Sequence, residues 1–472
     1  MALEDKALSF LSENEQLLTG MANDIFDHPE PAFKENYAAD LLASFLAKEG
    51  FEVKRNVAGL PTAFIASWGS GKPCIGILGE YDALPGLSQK ATPEKEAAVK
   101  DGPGHGCGHN LLGVGSVGAA IAVKRAMAEQ GLGGTVRFYG CPAEETLSGK
   151  VFMAQAGVFD DLDAALGWHP WYTNSVWWSS SSALNSFKFN FHGLAAHAGD
   201  VPETGRSALD AVILTDVGVN YLREHIIKEA KIHSVITHGG SVPNVVPEYA
   251  QIWYYARAPR RDQLEAIYER ILKIAKGAAL MTETTCDVEF VTGCYNFLQN
   301  KAIGDVMLEK LHRIGAPAYT PEEKAFAEKL IGTLRPGEVE DCFKFLQMEQ
   351  SETGYPLCDK IFDQAGGINI HGGMIGGSTD VGDIAQIVPT GQLTTTCKPL
   401  GVAQHSWQNT ASCGSSIGIK GMMLAAKALA LTAIELFSKP EILKAAAEEH
   451  RRITGGRKNY RSPLPDGTKP PL

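Results

Sequence analysis

Between residues 104 and 169 stand four side chains of metal-binding type, Cys107, His109, Glu145 and His169, with a second carboxylate, Glu144, directly before the third and a further imidazole, His405, far downstream. Thiolate, imidazole and carboxylate donors beside a spare acid are what a divalent ion needs if it is to activate water next to a base. The run Gly104-His-Gly-Cys-Gly-His-Asn110 surrounds two donors with glycine, so the backbone can turn tightly and aim both at one point. Taken alone, that fragment fits a buried thiol beside a hydrogen-bonded imidazole equally well. Glu144 and Glu145 close the run Cys141-Pro-Ala-Glu-Glu just after a strand-like segment, and neighbours leaving a strand point to opposite sides, so one acid can face a metal and the other a substrate. A Glu-Glu pair is more often a solvated helix start, and a histidine between Trp168 and Pro170 is more often a packed core residue. Both follow predicted parallel strands, where the ligands of α/β folds gather, and that position favours a site. His405, in Ala-Gln-His-Ser-Trp, also follows a strand-like patch and precedes a long helix.

The elements that must position these groups read as an α/β fold. A helix through residue 30, a second over 34–49, strands at 51–57, 62–68 and 75–78, a turn-rich stretch over 79–108, a helix of small residues, a strand at 135–139, a helix near 148–156 and a strand at 164–167 alternate in a way that predicts a mostly parallel sheet. The texture changes after residue 179. A strand in NSFKFNFHG, a helix over 207–228, strands at 234–238 and 250–256, a helix over 262–281 and a strand at 285–291 follow the order of a ferredoxin-like α+β module. The expected organisation is a catalytic domain in two parts, 1–184 and 299–472, with the module of 185–298 inserted. Residues 321–359, charged and interrupted, read as an irregular excursion, and the tail from residue 454 as extended or partly disordered.

Two patterns are decoys. Gly113-Val-Gly-Ser-Val-Gly118 matches a dinucleotide fingerprint but begins inside a helix instead of after a strand, so its glycines serve helix packing and no nicotinamide-dependent oxidoreductase is expected. Ser378-Thr379-Asp380 lacks the sharp nucleophile turn and partner histidine of a serine hydrolase and reads as a substrate-side loop.

A chain of 472 residues with 44% hydrophobic content has material for a large core and a second module. A net charge of −11 argues against nucleic acid or an anionic membrane as partner. Nine cysteines without a CxxC pair and an acidic, polar start where a secretory signal needs a basic and then apolar one point to a reducing, cytoplasmic setting. The apolar run 422–437 is short and carries Lys427, which predicts a buried helix and no membrane span.

Seven ordered motifs, GEYDALPG (79–86), GHGCGHNLLG (104–113), CPAEET (141–146), GWHP (167–170), GLAAHAG (193–199), GGSTDVGD (376–383) and AQHSW (403–407), together resemble the M20 metallopeptidase/amidohydrolase family over nearly the whole chain. The nearest likeness is to its aminobenzoyl-glutamate hydrolase branch, related to the auxin-conjugate amidohydrolases. The resemblance implies that Cys107, His109, Glu145, His169 and His405 hold one or two divalent ions, Mn²⁺ or Zn²⁺, that Glu144 is the general base, and that Asp82 orients a ligand. Where the wider family begins its first motif with His-x-Asp, this chain has Glu80, which leaves Glu80 undecided as a ligand. The inserted module would be a lid forming a homodimer, with His197 reaching a neighbouring active site to donate to the oxyanion, and Asn244 and Arg257 would hold a substrate carboxylate. Against this, His197 could cap the helix after its loop and Arg257 could be an ordinary strand-end cation. The implied activity is hydrolysis of the amide bond in N-acyl or N-aroyl amino acids of the aminobenzoyl-glutamate kind. The alternatives are a dipeptidase or N-acyl-amino-acid deacylase on the same scaffold, or a non-catalytic binding protein. Trp168, Trp171, Trp177 and Trp178 are either an aromatic wall for the acyl group or core packing.

Overall fold

The computed structural model describes residues 3–472. Helices α1 (Leu3–Glu13), α2 (Glu15–Asp27) and α3 (Asn36–Lys48) lead into strands β1 (Glu52–Arg55), β2 (Phe64–Ser70) and β3 (Cys74–Glu80). A long loop then enters α4 (His109–Gln130), followed by β4 (Gly134–Cys141), α5 (Gly149–Gln155), β5 (Ala164–Trp171) and the short β6 (Ser175–Val176). The next elements build a second sheet: β7 (Ala183–His192), α6 (Ala208–Leu222), β8 (Lys231–His238), β9 (Tyr249–Ala258), α7 (Arg261–Met281) and β10 (Thr285–Cys294). The chain returns through α8 (Lys301–Ile314), α9 (Pro321–Ile331), α10 (Glu338–Leu346), α11 (Gln350–Thr353), α12 (Val381–Ile387), β11 (Thr390–Thr396), α13 (Trp407–Cys413), α14 (Ser416–Ser438) and α15 (Pro440–Thr454).

The first sheet has the order β1-β2-β4-β3-β5-β11-β6, with β4, β3, β5 and β11 parallel at its centre and antiparallel strands at the edges. Strand β3 is buried along its whole length because both faces are covered. Ile75 and Ile77 enter one core with α1–α4, α8 and α14, and Cys74 and Leu78 enter another with α5 and α12. The second sheet, β10-β7-β9-β8, is antiparallel throughout. Burial alternates residue by residue along β9, whose inward side chains pack with those of α6 and α7.

Helices α4 and α14 are apolar and long enough to cross a membrane by length and composition, but most of each is buried here, in contact with the other. A Cβ on Gly113 would sit 2.8 Å from the Glu80 carbonyl oxygen, and one on Gly115 3.1 Å from both Met422 and Trp168. The dinucleotide-like glycines thus bring α4 against β3 and α14.

Several expectations need correction. The opening helix is two, divided at Asn14, whose side-chain amide donates to the Phe10 carbonyl and competes with the helical backbone. The helix expected to reach 228 ends at Leu222 in a 3₁₀ turn, Arg223–His225. Residues 321–359 are largely helical. The overlooked signal was Thr320-Pro-Glu-Glu323, a capping box with proline in the first turn, where Thr320 Oγ1 accepts from Glu323 N and Glu323 accepts from Thr320 N. The tail is extended but pinned, with Leu464 buried and Tyr460 donating to Asp383 at 2.9 Å.

Candidate metal centre

The parallel strands deliver their chemistry at one edge, the carboxyl ends of β3, β4, β5 and β11. Strand β3 ends at Glu80, two residues before Asp82, and β4 leads through a loop to Glu144 and Glu145. His169 lies inside β5, not after it, because β5 stays paired with β11 through Thr394 opposite His169. His109 opens α4. Gly108 before it has φ +88°, and a Cβ there would lie 3.0 Å from Cys413 Sγ and Pro170, so the Cys107–His109 turn needs glycine. His405 has φ +56°, uncommon for a residue with a side chain, and its N–H donates to the Gly106 carbonyl, so the loop after β11 is tied to the Cys107 loop.

These elements bring Cys107, His109, Glu144, Glu145, His169 and His405 into one cluster. Cys107 Sγ is 3.4 Å from His169 Nε2, and His169 Nδ1 donates to the Pro170 carbonyl at 2.8 Å, so Nε2 keeps its lone pair towards the cluster. His109 Nδ1 is held by Asp82 Oδ1 at 2.9 Å, and its Nε2 faces Glu80 Oε2 at 3.4 Å and Glu144 Oε2 at 3.8 Å. Asp82 Oδ2 accepts from the Glu145 backbone N–H at 2.9 Å, so one buried carboxylate orients two donors. His405 Nε2 lies 3.4 Å from Glu145 Oε2. Among the described residues, three triplets have donor atoms within 4.8 Å of one another: Cys107 with His109 and His169, Cys107 with Glu145 and His405, and Glu80 with His109 and Glu144.

His109 Nε2 and Glu145 Oε1 are buried without a hydrogen-bond partner, a costly state that a cation relieves. The crowded cluster favours bound protons on several groups: burial alone would lower His109, but Cys107 and Asp82 hold it well above the usual imidazole value. Burial, then the neighbouring Glu80, raises the Glu144 carboxyl well above its ordinary range. Burial pushes Glu145 up to about 8 and raises the Cys107 thiol. Burial alone would raise Asp82, but the hydrogen bond from His109 holds it below the usual carboxylate value. Burial, then His109, depresses both His169 and His405 to about 4, leaving them neutral and able to ligate. The donor set therefore fits a divalent ion, whose binding releases the thiol proton.

The cluster floors a cavity of about 280 Å³. Leu147, Trp171, Trp177, Tyr255, Ile368 and Ile375 form apolar walls, while Arg257, Ser378, Thr379 and Gln404 supply polar groups. Arg257 reaches in from near the end of β9 and donates to Ser378 Oγ at 2.8 Å, and Ser378–Thr379 line the cavity. The tryptophans divide: Trp168 is buried with its indole N–H on the Leu112 carbonyl and Trp178 donates to Asp363, whereas Trp171 and Trp177 line the cavity. His197 and Asn244 are not brought to it. They are exposed neighbours on the second-sheet module, joined by Ala198 N to Asn244 O at 3.0 Å. Nor does His197 cap α6, whose N-cap is Ser207 accepting from Asp210 N.

Sequence reasoning gave no role to the buried Lys150 and Glu35 and placed Asp380 only within a substrate-side loop. Lys150 lies 2.7 Å from Glu80 Oε1 and 2.5 Å from Asp380 Oδ1; its signal was a lone lysine in the otherwise uncharged run Leu147-Ser-Gly-Lys-Val-Phe-Met153. Asp380 stands just ahead of α12. Glu35, with no local signal, accepts from Ala143 N at 2.8 Å and from Thr62 Oγ1, and so supports the loop that carries Glu144.

Residues 76–409 match the model of Peptidase family M20/M25/M40. The chain is 42% identical over 471 residues to a subunit of the p-aminobenzoyl-glutamate hydrolase of Escherichia coli (strain K12), covering 98% of this chain and 97% of the relative. It is 28% identical to the Xaa-Arg dipeptidase of Mus musculus, over 95% of this chain and 92% of that one. Among solved structures, a dinuclear metal-binding peptidase from the M20 family of Bacillus subtilis superposes with a TM-score of 0.59 at 18% identity, over 90% of this chain and 99% of that chain, a likeness of fold.

Proposed function

The chain belongs to Peptidase family M20/M25/M40, and from that premise we propose that it hydrolyses the amide bond of N-aroyl amino acids of the p-aminobenzoyl-glutamate kind. The observation that carries this reading is one cavity in which Glu144 and four metal-binding side chains, Cys107, Glu145, His169 and His405, with His109 buried behind them, meet Arg257 on a polar side and Trp171, Trp177 and Tyr255 on an apolar one. Cys107, His109, Glu145, His169 and His405 would hold one or two ions, Mn²⁺ or Zn²⁺, and Cys107 belongs to two of the three donor triplets. When bound, a divalent ion supplies Lewis acidity, making water acidic enough to attack near neutral pH and drawing electron density from a carbonyl.

Glu144 takes the proton of the attacking water and returns it to the departing nitrogen. Its place on the cavity lining, beside the metal-binding side chains, suits a group that moves this proton. Arg257 pairs in a forked manner with the substrate carboxylate and fixes orientation before chemistry, and Asn244 adds a contact from the lid of a second copy. Trp171 and Trp177 pack against the aryl group. A dipeptide would instead need a partner for its free amino group, whereas Trp171, Trp177, Ile368 and Ile375 form an apolar wall; this favours an aroyl substrate over the dipeptidase alternative.

The second-sheet module serves as a lid and a homodimer surface. Val217 and Tyr221 of α6 and Val235 and Ile236 of β8 are exposed apolar groups that support such pairing. In the dimer His197 of one copy donates to the oxyanion in the other, a contribution worth roughly 10²–10³ in rate. Nine free cysteines, most of them buried, support a reducing cytoplasmic setting.

A screen of N-acyl and N-aroyl amino acids with Mn²⁺ or Zn²⁺ added, run beside Glu144→Gln, tests the reading. The variant should keep its metal by elemental analysis and lose turnover by about 10²–10⁴-fold. A metal-replete wild-type chain that cleaves nothing across the panel would establish the binding-protein alternative, and wild-type turnover in Glu144→Gln would remove the base assignment.

A further inference from the structure

Lys150 is a buried cation beside the metal cluster, and it does not line the cavity. Its ammonium bridges two carboxylates on different elements: Glu80 Oε1 at the end of β3, at 2.7 Å, and Asp380 Oδ1 ahead of α12, at 2.5 Å. Its backbone N–H donates to the other Asp380 oxygen at 2.9 Å. Lys150 and Asp380 are fully buried and Glu80 nearly so, so none of the three exchanges its partner for water. Glu80 then extends its second oxygen to His109 Nε2 at 3.4 Å, beside Glu144. On the other side, Asp380 follows Ser378 and Thr379, which line the cavity, and Ser378 takes the Arg257 hydrogen bond. A single side chain therefore joins the wall that faces the substrate to the carboxylates that face the reaction.

We propose that Lys150 is a positioning residue for the hydrolysis, acting through Glu80 on the His109–Glu144 end of the cluster and through Asp380 on the Ser378–Thr379 wall that meets Arg257. The inference rests on the hydrolase reading above. Held by Lys150, Glu80 is fixed beside the donors with one oxygen engaged, and the wall loop is anchored at Asp380 while the lid grips it at Ser378. The two halves of the link make separable contributions. Loosening Asp380 frees the wall and weakens substrate binding, whereas neutralising Glu80 disturbs the base and weakens the chemical step.

The test compares Lys150→Met, Asp380→Asn and Glu80→Gln in the full-length, Mn²⁺-loaded chain, with an N-aroyl amino acid that the wild type cleaves. Asp380→Asn should raise KM at least tenfold with kcat changed less than threefold. Glu80→Gln should lower kcat at least tenfold with KM kept, and Lys150→Met should do both, all three holding wild-type metal content. Should Lys150→Met fail to fold, the split between the two isosteric carboxylate variants still decides. Wild-type kinetics in a folded Lys150→Met, loss of metal from it, or parallel losses of active protein in all three with KM unmoved would overturn the positioning role. A wild type that cleaves nothing sinks the hydrolase reading instead.

Discussion

At the scale of single residues, the cluster depends on a carboxylate that touches no metal in the proposed scheme. Asp82 accepts from His109 Nδ1 and from the Glu145 backbone, so it sets the imidazole tautomer and the start of the Glu145 side chain together. Asp82→Ala should weaken metal affinity by about 10–100-fold, read by competition with a chromophoric chelator, because neither donor keeps its aim. Unchanged affinity would mean that packing alone orients them. Glu144 is the contrasting case, since its removal should spare the metal and abolish turnover. The donor types were legible from Cys107, His109, Glu145 and His169 in the chain because thiol, imidazole and carboxylate groups in a Gly-rich loop and beside parallel strands have few structural reasons to recur. Glu35 was not legible and Lys150 showed only as a lone lysine in an uncharged run, since their importance comes from being buried beside residues 70 to 230 positions away.

At the scale of elements, one close approach that bears on the cluster lies where α4 meets β3. A methyl on Gly113 would come within 2.8 Å of the Glu80 carbonyl, so Gly113→Ala must push α4, with His109 at its start, off the strand. We expect a loss of about 1–3 kcal/mol, seen as a lower melting temperature, together with reduced activity, while NADH produces no fluorescence change with either protein. The C-terminal tail offers a pH test at a carboxyl outside the donor set. Burial raises the Asp383 carboxyl to about 7 although Tyr295 N and Tyr460 Oη donate to it. A carboxyl whose folded value exceeds its unfolded value of 3.8 binds more protons when folded, so its contribution is complete below about pH 4 and is lost as pH rises through 7. Asp383→Asn should therefore gain stability relative to wild type between pH 4 and 8, by roughly 4 kcal/mol at most. A difference in melting temperature that stays flat with pH would contradict this. The helices of 321–359 show how an element hides: Thr320 and Glu323 signal a start, but the charged faces that follow obscured the period.

At the scale of the whole molecule, the proposed reaction is divided between two copies. Glu144 belongs to the first-sheet cavity, and His197 stands exposed on the second-sheet module, outside the cavity of its own chain. Mixing His197→Ala with Glu144→Gln, each inactive alone, and allowing subunits to exchange should restore activity, because a mixed dimer contains one site with both groups intact. No recovery despite proven exchange would place His197 outside the reaction.

The sequence by itself determined the alternation of strand and helix, the second antiparallel module and the kinds of donor, because these follow from local periodicity and from side-chain chemistry that context does not alter. Only the tertiary structure decided that the donor atoms of Cys107, Glu145 and His405 lie within 4.8 Å of one another, that Trp171 and Trp177 face the cavity while Trp168 and Trp178 face the core, and that Lys150 spans Glu80 and Asp380. Such relations arise from how distant segments pack, and the free energy of a buried charge or an oriented imidazole depends on neighbours that the chain supplies only once folded.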